Sequence, residues 1–143
     1  MQVTRRAAAL LAVAVLSGCG TTPTLMSEAK PVPPDRILAK LSAKSGTPAT
    51  LTVVRDSGLQ GIEHVFELWV NGHQIASLRA GEFHSIPVDP GSAFIEIRMF
   101  NITGTVAPVQ VETVFEPGKR YVYRAGIDGQ VKLHLRRDLE LSP

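Results

Sequence analysis

Ile95-Glu96-Ile97-Arg98-Met99 alternates strictly between apolar and charged side chains, and Val131-Lys132-Leu133-His134-Leu135-Arg136 does the same further along the chain. Successive side chains of an extended strand point to opposite faces, so each stretch reads as a strand with one buried and one wet face. Val109, Val111 and Phe115 repeat the pattern against Gln110 and Glu112. Phe66, Leu68 and Val70 repeat it against Glu63 and Glu67. Half-buried strands of this kind belong to antiparallel sheets with one solvated side, because strands of a parallel sheet are apolar on both faces.

The punctuation between these strands agrees. From Thr47 onward, Asp56-Ser57-Gly58, Asn71-Gly72, Ala80-Gly81, Asp89-Pro90-Gly91, Glu116-Pro117-Gly118 and Asp128-Gly129 interrupt the chain. Their spacing of about eight to twelve residues is that of a sandwich or barrel. Asn71-Gly72 and Asp128-Gly129 each suit a two-residue hairpin loop, whose central residues need positive φ. No helical crossover separates the strands. Residues 47–143 are therefore expected to form an all-β, antiparallel β-sandwich of about seven to eight strands.

The chain has 143 residues, 20% charged and 44% hydrophobic, with 12 Gly and 10 Pro, which suits one compact domain plus segments outside it. Its formal charge of +2 includes Arg5 and Arg6, at the head of an apolar N-terminus. Without those two, 13 of the 15 basic residues remain against 13 acidic ones, and a neutral domain has no electrostatic footprint for nucleic acid. Ala7 to Leu16 is an unbroken apolar run. About ten residues of helix rise ~15 Å, half of the roughly 30 Å hydrocarbon core of a bilayer. A basic flank, a short apolar run and small residues after it are the parts of a secretory signal peptide, assigned to residues 1–18.

Leu16-Ser17-Gly18-Cys19 closes that segment and resembles the lipobox of bacterial lipoproteins, with Leu, two small residues and Cys. The resemblance implies cleavage between Gly18 and Cys19, a diacylglyceryl group on the Cys19 thiol and usually a further fatty acyl chain on the new amine. One chain anchors only marginally and several anchor durably, so the implied partner is a membrane held through Cys19. Gly20 stands where lipoproteins retained in the inner membrane typically carry Asp. The implied location is the bacterial envelope, on the periplasmic face of the outer membrane. Cys19 is the sole Cys, so no disulfide can form within the chain.

Residues 19–46 are polar and broken by Thr21-Thr22-Pro23 and Pro31-Val32-Pro33-Pro34, which predicts a flexible tether. Within it, Asp35 is a helix cap, and Ile37, Leu38 and Leu41 share a helical face, which predicts a short docking helix over Asp35 to Ala43.

Val70-Asn71-Gly72-His73-Gln74-Ile75-Ala76-Ser77-Leu78, followed by Gly81 and Ile86-Pro87-Val88-Asp89-Pro90-Gly91, runs as strand, turn, short strand, Gly turn, strand and Pro-Gly turn. This resembles the PEGA-type and related lipoprotein domains of unknown function that share a prealbumin-like β-sandwich. Thr52-Val53-Val54-Arg55-Asp56-Ser57-Gly58-Leu59 is similar to the opening strand of the latter, and Pro117-Gly118-Lys119-Arg120-Tyr121-Val122-Tyr123-Arg124 to its Tyr-rich strand. The resemblance implies a binding or structural module and no reaction.

The chemistry-bearing residues give catalysis no foothold. His64, His73, His84 and His134 stand in no metal-binding spacing, no nucleophile elbow is present, and no phosphate loop or dinucleotide fingerprint points to a cofactor. The expected metal and cofactor sets are empty and no enzymatic activity is expected. The alternative is a small envelope hydrolase or metal-handling lipoprotein using His64, His84 and a nearby Asp. Two surfaces are candidates for binding an envelope protein or glycan. Trp69 has the outward parity of its strand and, beside Tyr121 or Tyr123, would form a stacking platform. Lys132, His134 and Arg136 form a small basic stripe.

Overall fold

A computed structural model describes residues 22–44, 46–58, 63–101 and 104–142. Among them nine strands follow in order. These are β1 (Lys30–Pro31), β2 (Ala49–Arg55), β3 (Phe66–Val70), β4 (His73–Leu78), β5 (Glu82–Val88), β6 (Gly91–Asn101), β7 (Gly104–Phe115), β8 (Arg120–Ile127) and β9 (Leu133–Arg137). They form an all-β sandwich of two open sheets, one ordered β1-β5-β2-β8-β9 and the other β4-β3-β6-β7. The alternating residues fill the space between. Phe66, Leu68, Ile95, Ile97 and Met99 from the smaller sheet meet Leu51, Val53, Tyr121, Tyr123 and Ala125 from the larger one.

The smaller sheet is antiparallel throughout, as the alternation predicts. At its turn, Asn71 (φ 48°) and Gly72 (φ 77°) both lie in the left-handed region, the geometry of a two-residue hairpin loop. The larger sheet departs from the expected pattern. Its central strand β2 runs parallel to β8, and β1 runs parallel to β5. The reason is in β2 itself. Leu51, Thr52, Val53 and Val54 are all buried, because this strand is covered on both faces, as parallel neighbours require.

The outer face is covered by the segment predicted to be a tether together with the C-terminal residues 138–142, whose Ser142 Oγ accepts the Val122 amide at 2.8 Å. Thr22 forms a bridge with Ser57, and the Thr24 amide donates to Asp56 Oδ1 at 3.0 Å. Arg124 joins the Thr24 segment to Asp56 and Asp138. Its Nη1 donates to Thr24 O (2.9 Å) and Asp56 Oδ1 (2.8 Å), and its Nε to Asp138 Oδ2 (2.7 Å). The chain then adds β1 to the edge of β5, buries Val32 and crosses to the other sheet, where Ile37 bridges Ala76.

The predicted helix over Asp35–Ala43 is absent, replaced by a 3₁₀ turn at Pro34–Arg36 followed by extended chain. Both the Leu38 and Ala39 amides donate to Ile75 O, at 2.8 and 3.1 Å. Ile37, Ala39 and Leu41 pack on the core while Leu38 is 57% exposed, so the segment follows the period of a strand. The carbonyl of a strand edge captured amides that a helix would have used.

The last hairpin also differs. Ile127 pairs with Leu133, so the loop runs from Asp128 to Lys132 and is longer than the two residues predicted. Asp128 Oδ1 accepts the amides of Gln130 and Lys132 at 2.9 and 3.0 Å, and closing that longer ring excludes the tight turn. Val131, expected to face inward with Leu133 and Leu135, is 51% exposed with φ 61°.

Candidate functional site

Trp69 sits on the outer face of the smaller sheet, as its parity predicts. The register places it opposite Gln74 of β4 on one side and Glu96 of β6 on the other. The Arg98 guanidinium lies 3.9 Å from the indole centroid, a cation–π contact. Trp69 Nε1 donates to Glu67 Oε2 at 3.1 Å, which fixes the ring edge. Glu96, although on the outer face, is buried. It accepts from Arg98 Nε at 2.6 Å and from Gln110 Nε2 at 3.4 Å. The Glu96 hydrogen bond keeps the Arg98 pKa above its already high ordinary value.

Further along the same face, Phe94 and Val114 are 44% and 67% exposed. Phe94 is fixed by the hairpin turn, since its amide donates to Asn71 Oδ1 at 2.9 Å and its carbonyl accepts the Asn71 amide at 2.9 Å. The face therefore combines a π surface, a held cation, carboxylates and two apolar side chains in the open. Such a set can bind a partner that offers both apolar surface and hydrogen-bonding groups.

The predicted partners of Trp69 are elsewhere. Tyr121 and Tyr123 are buried on the inner face of the larger sheet. Tyr123 Oη bonds Thr113 Oγ1 across the core at 2.6 Å, and Tyr121 stacks edge-on against Phe115 at 4.7 Å. Tyrosine parity in β8 matches that of Ala125 and Ile127, both buried, and this was the overlooked signal. Arg98, Phe94 and Val114 were also overlooked, although the alternation assigned Arg98 to the wet face. Only strand pairing shows that Arg98 meets Trp69.

The basic stripe is less cationic than its sequence. Lys132 and Arg136 are exposed, but His134 is half-buried beside Gly126, and its Nδ1 is buried without a hydrogen-bond partner among the described residues. Burial, and then the Arg136 charge, push the His134 pKa below 6.5. The other histidines are dispersed over the fold. His64 precedes β3 with Nε2 3.2 Å from the exposed Glu63 carboxylate, His73 opens β4, and His84 lies on β5 with its pKa lowered by burial. Among the described residues no group of three or more His, Cys, Asp or Glu side chains could hold a metal ion.

Gly18 and Cys19 lie outside the described residues, and no described helix is long and apolar enough to cross a membrane. No known family model, curated protein or solved structure matches the chain.

Proposed function

We propose that this chain is a lipid-anchored envelope lipoprotein whose sandwich is a non-catalytic binding module, with the outer face of β3, β6 and β7 as its binding surface. The observation that carries this reading is the Trp69–Arg98 pair, held by Glu67 and Glu96 beside the exposed Phe94 and Val114. Holding an indole and an apolar pair at the surface is unfavourable for an isolated domain and favourable for one that covers them with a partner. The lipobox resemblance supports an anchor at Cys19 and a location at a bacterial membrane, and Gly20 favours the periplasmic face of the outer membrane. The PEGA-like pattern of turns supports a binding or structural role in the same sense. The partner is an envelope protein or glycan.

Photocrosslinking in intact cells tests the proposal. A photoreactive residue at Gln110, on this face, should give a discrete adduct that disappears with Trp69→Ala. The same residue at exposed Leu139, just beyond β9 of the other sheet, should give none. Equal adducts from both positions, or an adduct indifferent to Trp69→Ala, would remove the face from the account. A Cys19→Ser chain recovered in mature form from the membrane fraction would remove the anchor.

A further inference from the structure

The anchor has a fixed address on the fold. β2 and β8 run parallel, so Arg55 and Ile127 end at the same pole of the sandwich, where β5 and β9 begin at Glu82 and Leu133. Thr22 enters at this pole, with two backbone hydrogen bonds to Ser57, and Thr24 Oγ1 adds a contact to Ser57 Oγ at 2.6 Å. Thr22 is three residues beyond Cys19. Consecutive Cα atoms are about 3.8 Å apart, which limits the separation of the two Cα atoms to roughly 11 Å whatever path the chain takes. With Cys19 acylated, the pole is confined to the depth of the lipid headgroups.

The same pole carries an apolar side chain directed into water. The Asp128 carboxylate gathers the amides of Gln130 and Lys132, and Asp128 O accepts the Val131 amide at 3.0 Å. This ties the loop in a form that holds Val131 at φ 61°, a conformation rare for a β-branched residue. Val131 is left half exposed beside the exposed Lys132. Exposed Arg79 and Lys30 flank the entry point, since Gly81 of the intervening turn bonds both Arg55 O and the Lys30 amide. Exposed Glu28 and Glu63 offset much of this charge. Net attraction therefore does not carry the contact. Tethering does, by keeping the loop at high effective concentration beside the interface.

We infer that the membrane leaflet itself is a partner of this pole. Val131 enters the headgroup–acyl boundary, Lys132, Arg79 and Lys30 pair with lipid phosphates, and the sandwich stands with its strands upright on the surface. The inference rests on the proposed anchoring at Cys19. It also places the turn at Glu116-Pro117-Gly118 at the distal pole, since β8 begins there, and β2 alone spans about 23 Å between the poles. The Trp69 face then looks sideways along the membrane, toward partners fixed in the same leaflet.

The test uses the full lipidated chain in vesicles of phosphatidylcholine and phosphatidylglycerol carrying a headgroup spin label. With Cys19 acylated, an introduced thiol is the site for a fluorophore. Gln130→Cys, at an exposed position of the same loop that contributes only its amide, marks the proximal pole without removing Val131 or a basic side chain, and Glu116→Cys marks the distal one. Quenching several-fold greater at position 130 than at 116 is the expected result, and Arg124→Ala, which removes the Nη1 bond to Thr24 O, should narrow the difference. Equal quenching at both positions in chain that floats with the vesicles would overturn the upright contact and leave the anchor standing. Chain that fails to float would overturn the anchor and the contact together.

Discussion

Arg55 shows how much one residue can contribute without being a site. It is 2% exposed, its guanidinium lies 3.9 Å over the Phe66 ring, and it donates to Leu78 O at 2.9 Å and to His64 O. Burial lowers its pKa to about 10 against the opposing pull of Glu82 and Glu63, so it stays charged at neutral pH. Both bonds leave Nη1 while the flat guanidinium stacks on the Phe66 ring, and a compact ammonium on a shorter side chain has no such face to stack. Arg55→Lys should therefore cost about 2–3 kcal/mol, measured as a lower midpoint in urea, and an unchanged midpoint would contradict the role given to the stacked guanidinium. Sequence alone places Arg55 at the end of a β-rich run, and its inward parity with Leu51 and Val53 is visible there. What it touches is not, because Phe66 and Leu78 reach it through pairing across the molecule. Trp69 was legible in the same partial way, its face given by alternation and its partner Arg98 only by register.

At the scale of elements, the readable ones were those whose own residues decide the matter. β3, β6 and the Asn71-Gly72 hairpin follow from alternation and from residues that tolerate positive φ. The segment from Thr22 to Lys44 was not readable, because its structure depends on what it meets. Prolines 31, 33 and 34 suggest a tether, yet the Val32 amide finds Phe83 O at 2.9 Å, and Arg36 makes a bidentate pair with Glu82. That pair sets a pH dependence. Burial raises the Glu82 pKa, but the Arg36 hydrogen bond, the Arg79 amide and both positive charges outweigh it and hold the carboxyl below 4.5. Since the folded value is the depressed one, Glu82 contributes stability that is present above pH 4.5 and is lost as the pH falls through the folded value. Hydrogen exchange at the Val32 and Leu38 amides should thus accelerate in that acid range ahead of exchange in β6. Glu82→Gln should abolish the acid step, and a step that persists in that variant would assign it to another carboxyl.

For the whole molecule, the decisive feature is that β2 lies at the centre of its sheet while its parallel neighbour β8 comes far later in sequence. Alternation cannot show which strands become neighbours, so the sandwich was legible and this pairing was not. The consequence concerns how the chain can be divided. A chain ending at Glu116 keeps all of the smaller sheet, including β7, but loses β8 and β9. With them go Tyr121, Tyr123, Ala125, Ile127 and Leu135, which close the core from the other side, and the Arg124 link that joins Thr24 to Asp56 and Asp138. It would also leave one edge of β2, a strand made of Leu51, Thr52, Val53 and Val54, without its neighbour, the kind of apolar edge that recruits other chains. The truncated chain should therefore show no cooperative transition by circular dichroism on heating, and should associate as its concentration rises. If it instead unfolded cooperatively as a monomer, the smaller sheet would be an independent unit, and β2 would owe its place to β5 alone.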